Sequence, residues 1–249
     1  MTPFTRTELL LGSDAMQRLQ RLRIIIFGVG GVGSWCAESL VRSGVAHLTL
    51  VDSDVVCDTN LNRQLMATTL TLGQPKVEAL RERLISINPQ AAITALQTVY
   101  NDATAAAFPL GDYDVVVDAI DSLKDKALLI LEACRTDTLL VSSMGAALKL
   151  DPSRIRVAEF RKVQGDPLAR ALRHRFKRMG EFPARPFQCV YSDEPPVTGA
   201  SRDAEDGEMP EDFHKPQVNG TIAHVTAIFG LTLAGIIISH LKDSSFESQ

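Results

Sequence analysis

The run Gly28-Val29-Gly30-Gly31-Val32-Gly33 follows directly on the apolar segment Ile24-Ile25-Ile26-Phe27 and opens a stretch of helical period. Glycines here let the chain turn tightly and bring backbone N–H groups near phosphate oxygens, and the positive end of the following helix dipole favours the same anion. A second apolar run, 48–51, stops at Asp52, about 20 residues further on, where a carboxylate can accept hydrogen bonds from a ribose; Asp54 stands in the same turn. Residues 24–54 therefore read strand, turn, helix, strand, and bind a nucleotide. The pattern is shared by dehydrogenases and ATP-using enzymes, and on this stretch alone NAD is the favoured ligand.

Beyond Asp54 the polar run Asn60-Leu61-Asn62-Arg63-Gln64 follows the carboxyl end of a strand, the rim where open α/β sheets bind ligands. Arg63 can offer a planar fork to phosphate, and Lys76, after Gly73-Gln74-Pro75, starts a helix beside the same rim. Both could equally be solvated surface charges. Residues 113–122 form a buried strand ending in Asp118, Asp121 and Ser122; Asp121 could serve Mg²⁺, which takes one or two carboxylates plus phosphate oxygens, or could cap the helix that follows.

The remaining periodicities give these groups a scaffold. A helix is expected over 7–22, another from Lys76 to Ile87 before Asn88-Pro89, a strand over 93–99, a short helix over 103–108 and a strand over 139–143 leading to the small-residue turn Met144-Gly145-Ala146-Ala147. Alternating strand and helix means an α/β fold with a doubly wound, mainly parallel Rossmann-like sheet. The 249 residues, 45% hydrophobic and 22% charged, suit a single domain 1–249, with a nucleotide-binding core over 1–147 and a second portion over 148–249. Four cysteines without a CxxC pair exclude an obvious zinc ribbon, and the absence of a signal peptide over 1–11 suggests a cytoplasmic protein.

A net charge of -4 argues against an indiscriminately basic nucleic-acid binder. Yet Arg154, Arg156, Arg161, Lys162, Arg170, Arg173, Arg175, Lys177 and Arg178 crowd about 25 residues, opposed locally only by Glu159 and Asp166. Such a basic helical segment suits a polyanion, because each phosphate neutralised releases counterions; a merely solvated helix over Pro167–Met179 is the alternative. Residues 193–216 are acidic, rich in Pro and Gly, and read as a flexible acidic loop. The apolar stretch 218–241 is long enough to span a bilayer, but its Gly and Thr content and lack of flanking basic clusters favour a buried C-terminal helix; peripheral membrane association stays open.

Taken together, GVGGVG at 28–33, VDSD at 51–54, NLNRQ at 60–64, GQPK at 73–76 and DAIDS at 118–122 resemble the ubiquitin-activating-enzyme-like adenylyltransferases. That resemblance replaces NAD by ATP, since dehydrogenases have no use for NLNRQ, the lysine or DxxD. It implies that Gly28, Gly30, Gly31 and Gly33 wrap the nucleotide, Asp52 and Asp54 stand at the ribose, Asn60, Arg63, Gln64 and Lys76 face the phosphates, and Asp121 with Ser122 lies at Mg²⁺. It implies a homodimer in which Arg6 reaches into the partner's site. A monovalent cation (Na⁺ or K⁺) beside Gly145 is a further possible cofactor.

The sulfur-transfer branch of this family carries two zinc-binding CxxC pairs, which this sequence lacks. LDPSRIRV at 150–157, QGDPLARALRHRFKRMG at 164–180 and CVYSDEPP at 189–196 instead resemble the tRNA threonylcarbamoyladenosine dehydratase branch. This implies tRNA as partner and ATP-dependent closure of threonylcarbamoyladenosine at tRNA position 37 into a ring. Two alternatives stay open: adenylation of the C-terminal glycine of a ubiquitin-like carrier, with Cys189 as thioester nucleophile, and service to a cysteine desulfurase or sulfur acceptor.

Overall fold

Side chains along a strand alternate between its two faces. The computed structural model, which describes residues 2–203 and 217–243, shows that alternation dividing the interior in two. Ile24, Ile26, Leu48, Leu50, Val115 and Val117 enter one core; Ile25, Phe27, Val51 and Val116 enter the other. The strands are β1 (Arg23–Phe27), β2 (His47–Val51), β3 (Ala92–Leu96), β4 (Val115–Asp118), β5 (Leu139–Ser143), β6 (Ile155–Glu159) and β7 (Gln188–Ser192). They form one seven-stranded sheet in the order β3-β2-β1-β4-β5-β7-β6, parallel except for β6 at the edge.

Helices cover both faces. α3 (Gly33–Ser43), α4 (Lys76–Ile87) and α7 (Ala223–Asp243) contribute Leu40, Leu80, Leu84, Phe229 and Leu233 to the first core, while α5 (Leu123–Cys134) and α6 (Pro167–Met179) contribute Ile130, Leu172 and Phe176 to the second. The chain leaves β1 toward β2 and β3 on one side and later returns to build β4 and β5 on the other. The order therefore reverses between β1 and β4, and a crevice opens there at the carboxyl ends of the strands, where ligands of this architecture bind. The doubly wound, mainly parallel sheet expected from the alternating pattern is the fold observed.

Several local expectations change. The helix expected over 7–22 is two, α1 (Thr5–Leu11) and α2 (Ser13–Arg21), because Gly12 takes φ +85° between them. The short helix over 103–108 shrinks to the 3₁₀ turn Ala105–Ala107, and the strand over 93–99 to half-exposed β3. The basic segment is only partly helical: Arg154 ends a 3₁₀ turn, Arg156 lies in β6, and α6 begins at Pro167. The expected acidic loop is bounded by structure, since β8 (Ser201–Asp203) pairs antiparallel with β9 (Gln217–Asn219); its residues 204–216 lie outside the described ones.

α7 is long and apolar enough to cross a membrane by length and composition. In the fold, however, Val225, Phe229, Leu233 and Ile237 form a stripe sealed against the sheet. Gly230 has a packing reason: a Cβ there would stand 2.3 Å from the Val32 carbonyl oxygen and 2.9 Å from the Cys36 nitrogen, so glycine is what lets α7 lie directly on α3. The opposite face keeps Leu231 44% exposed, which makes the helix half-buried rather than buried throughout.

Candidate nucleotide-binding and adenylation site

The glycine loop closes on itself before it can meet a ligand. Gly28 has φ +84°, and a Cβ on it would lie 2.6 Å from the Ala119 carbonyl oxygen; a Cβ on Gly33 would lie 1.9 Å from the Gly28 oxygen. Side chains at either position would force the loop open. From the next strand end, Asp52 accepts hydrogen bonds from the Val29 N–H at 2.8 Å and the Asp54 N–H at 2.9 Å. Burial holds its carboxyl above the ordinary carboxylate range, against the smaller opposing pull of the Asp54 N–H, the nearby Lys76 charge and the Val29 N–H.

A cavity of about 530 Å³ opens over this loop. Gly28, Gly30, Gly31, Asp52, Asp54 and Arg63 line it, as do Gln64, Lys76, Asp121 and Ser122. Gly33 and Asn60 stand behind it. Asn60 is buried, and its Oδ1 accepts from the Cys57 N–H at 3.2 Å, so it shapes the turn that presents Arg63 and does not itself enter the cavity. Arg63 donates from Nη1 to the Thr59 carbonyl and to Asn62 Oδ1, both at 2.8 Å, and its own carbonyl accepts from the Trp35 indole at 3.1 Å. Lys76 is 6% exposed and paired with Asp54 Oδ2 at 2.7 Å, which holds its ammonium at the cavity wall. Neither cation is a freely solvated surface charge.

The alternative of Asp121 as helix cap does not match the geometry. Ser122 is the N-cap of α5, its hydroxyl accepting from the Asp125 N–H at 3.4 Å and donating to Asp125 Oδ2 at 2.7 Å. Asp121 is exposed, lines the cavity and makes no hydrogen bond or ion pair with the described residues. Arg6, on α1, is exposed and stands outside the cavity lining. Cys189, expected beside the loop, lies instead in β7, fully buried, with burial pushing its thiol well up. A sealed, protonated thiol is a poor nucleophile.

Three features were not anticipated. Beneath the DxxD turn, Lys126 and Asp118 form an ion pair at 2.8 Å with both side chains fully buried. Lys126 Nζ also donates to the Ile120 carbonyl at 2.9 Å, and Asp118 accepts from the Ser142 hydroxyl at 2.6 Å and the Ile120 N–H at 3.2 Å. Both partners thus grip the backbone one residue before Asp121; the only signal was a lysine inside an apolar helical run. On the far wall Lys149 is 3% exposed and donates to the Glu194 carbonyl. Burial pulls its ammonium down, opposed by the charges of Asp166 and Glu194. Leu148, beside it, holds φ 61°, its N–H donating to the Gly220 carbonyl and its carbonyl accepting from Val197, so a non-glycine residue in the left-handed region ties the acidic segment to the cavity rim.

The basic segment divides. Arg154 and Arg156 both pair with Asp193 at 2.8 Å, an opposing charge 37 or more residues away in sequence that a local count overlooks. Arg173 donates to the Phe160 carbonyl and lies over the Phe160 ring, and Arg175 is partly buried with its Nε unpartnered among the described residues. Arg161, Lys162, Arg170, Lys177 and Arg178 are exposed and have no ion-pair partner among the described residues. Arg161 and Lys162 lie in the 3₁₀ turn ahead of α6, which starts at the cavity, where Pro167 and Leu168 line the wall, and carries Arg170, Lys177 and Arg178 away from it.

The residues fit a nucleoside triphosphate: a loop whose Gly28 and Gly33 admit no side chain, two held cations on the same rim, and Gln64 Oε1, buried at the cavity wall without a partner among the described residues. Fold and site together define a nucleotide-binding protein of the open α/β class with an adenylation-type rim. The model of the ThiF family matches residues 4–247, and the chain belongs to that family. It is 38% identical to the tRNA threonylcarbamoyladenosine dehydratase of Bacillus subtilis over 248 residues, 96% of this chain and 95% of the relative. The crystal structure of the Escherichia coli tRNA N6-threonylcarbamoyladenosine dehydratase in complex with ATP superposes with a TM-score of 0.86 at 32% identity, covering 99% of this chain and 96% of that one. The molybdopterin-synthase adenylyltransferase of Escherichia coli is 34% identical over 178 residues, 71% of this chain and 69% of the relative.

Proposed function

We propose that the protein is an ATP-dependent tRNA threonylcarbamoyladenosine dehydratase. A carboxylate is a poor electrophile, because substitution at its carbon would have to expel oxide. The carboxylate of the threonylcarbamoyl group attacks the α-phosphate of ATP, pyrophosphate leaves, and the acid becomes an acyl-adenylate. The neighbouring ureido oxygen then attacks the acyl carbon, AMP leaves, and the nucleoside has lost the elements of one water. Arg63 and Lys76 neutralise charge that builds on the phosphates, so placement and electrostatics supply most of the rate.

The observation that carries this reading is the convergence of Arg63, Lys76 and Asp121 on one cavity. The near full-length likeness to the Bacillus subtilis dehydratase supports the substrate. Asp121, exposed and without a partner among the described residues, is the carboxylate suited to Mg²⁺, which when bound would screen the triphosphate. The same reading gives the Gly145 turn a monovalent cation, which would make turnover depend on Na⁺ or K⁺. It also gives the protein a homodimer: Leu9 and Leu10 on α1 are 82% and 76% exposed, apolar surface that a second copy would cover while bringing in its Arg6.

The rival reading, a thioester-forming activator of a carrier protein, is opposed by the burial of Cys189. Cys189→Ala should leave ring closure within about twofold, whereas a thioester mechanism would be abolished. The test of the main reading is mass spectrometry of tRNA nucleosides from cells with and without the gene. The expected result is a modified adenosine lighter by one water only where the protein is present. The same mass in both would refute it.

A further inference from the structure

Behind α6, on the side facing β6, lies a second basin of about 360 Å³, separate from the nucleotide cavity. Its aromatic floor is built by Phe160, Phe176 and Phe187: the Phe160 and Phe187 rings stack at 5.0 Å between centroids with 16° between planes, and Phe176 meets Phe160 edge-on at 5.9 Å. Phe182, just past the end of α6, adds a ring that is 59% exposed. A large ring left this open is unusual surface for a protein with two well-filled cores.

The rim is cationic. Arg161 and Lys177 are exposed without an ion-pair partner among the described residues, and Arg173 sits 5.6 Å over the Phe160 ring. Glu159 is the opposing carboxylate in the lining, and it accepts from the Arg161 N–H at 3.1 Å. Phe160, Phe176 and Phe187 are 4%, 1% and 5% exposed and form a packed floor, so Phe182 is the ring that offers a face. An open ring framed by unpaired cations fits a π-surface attached to an anionic backbone. A fully paired duplex offers no free base face, and an apolar peptide would leave the cations unmatched. Lys177 lies nine residues along α6 from Leu168 at the cavity wall, about 14 Å at about 1.5 Å per residue, or about four stacked nucleotides at about 3.4 Å each.

We infer that Phe182, at the mouth of this basin, is a stacking site for an unpaired RNA base, set a few nucleotides from the adenosine whose carboxylate is activated. The inference rests on the tRNA-modifying reading. It gives α6 two tasks: its exposed cations hold the sugar-phosphate backbone, and its C-terminal end delivers the strand to a ring that measures loop geometry. A substrate would then be chosen by having a splayed base at the right distance and not by charge alone.

The test compares fluorescence anisotropy of two labelled RNAs of equal charge, an anticodon stem-loop and a continuous duplex, on the full-length protein. Phe182→Ala should weaken the stem-loop about tenfold and leave the duplex within about twofold, and Phe182→Trp should restore stem-loop affinity. Thermal unfolding of both variants should match the parent, since Phe182 is largely exposed. A 4-thiouridine in the loop should crosslink to the peptide containing Phe182. Unchanged stem-loop affinity in Phe182→Ala, with the parent binding normally, would overturn the inference and leave the basin to a peptide ligand. A parent protein that binds neither RNA would instead bring down the tRNA reading itself.

Discussion

On the β1–β2 side of the sheet, Lys76 is 6% exposed and fixed by Asp54, and Asp52 is held by two backbone N–H groups; on α6, Arg170, Lys177 and Arg178 stand in solvent with no partner among the described residues. The first arrangement fixes charges before a ligand arrives, which is what stabilising a transition state requires, because no reorganisation remains at the moment of reaction. The second keeps charges mobile and hydrated, which suits a long polyanion gripped at many equivalent points. One sheet thus carries a rigid chemical end and a tolerant binding face. Single substitutions should have large effects at the first and small, additive ones at the second.

The largest effect is expected beneath the DxxD turn. Removing one partner of a buried ion pair leaves the other charge uncompensated, so Lys126→Ala should cost about 3–5 kcal/mol in urea unfolding and abolish turnover as the Asp121 backbone loses its anchor. Lys76→Ala comes next: adenylation should fall about 10²–10³-fold in kcat with the melting temperature nearly unchanged, because Asp54 remains hydrated. On the binding face, Lys177→Ala with Arg178→Ala should raise KM for tRNA, leave KM for ATP alone, and reduce the slope of log affinity against log salt by about one per cation removed. An equally steep fall in kcat from both sites would erase the contrast.

The smallest effect concerns the latch between α3 and α4. Burial opposes ionisation of Glu38, yet hydrogen bonds from Arg83 and Arg42 hold its carboxyl below the ordinary glutamate range. A carboxyl depressed in the folded state contributes stability above its unfolded value and loses it as pH falls through the folded one. Melting temperature should therefore decline on acidification below the ordinary glutamate range. Glu38→Gln should flatten that limb, at a cost of about 1 kcal/mol or less near neutral pH, since both arginines are partly solvated.

What could be read in the amino-acid order was whatever depends on near neighbours. The glycine loop, the strands ending at Asp52 and Asp118, the α6 boundaries from Pro167 to Met179 and the cations Arg63 and Lys76 all follow from local pattern and turn chemistry. Contacts between distant segments did not show. Asp193 neutralises Arg154 and Arg156 across two strands, and Lys149 becomes a cavity wall only when the segment after β5 folds over the rim. Cys189 looked loop-bound because a polar segment follows it, but strand pairing with β5 and β6 buries it. The four phenylalanines of the α6 basin lie scattered over 160–187, with no period to connect them.

The most direct test is AMP release by the purified protein with ATP, Mg²⁺ and tRNA that either carries or lacks the threonylcarbamoyl group. The account predicts one AMP per ring closed with the modified tRNA, none with the unmodified, and none from Asp121→Ala with either. AMP formed equally from both tRNAs, or undiminished in Asp121→Ala, would contradict it.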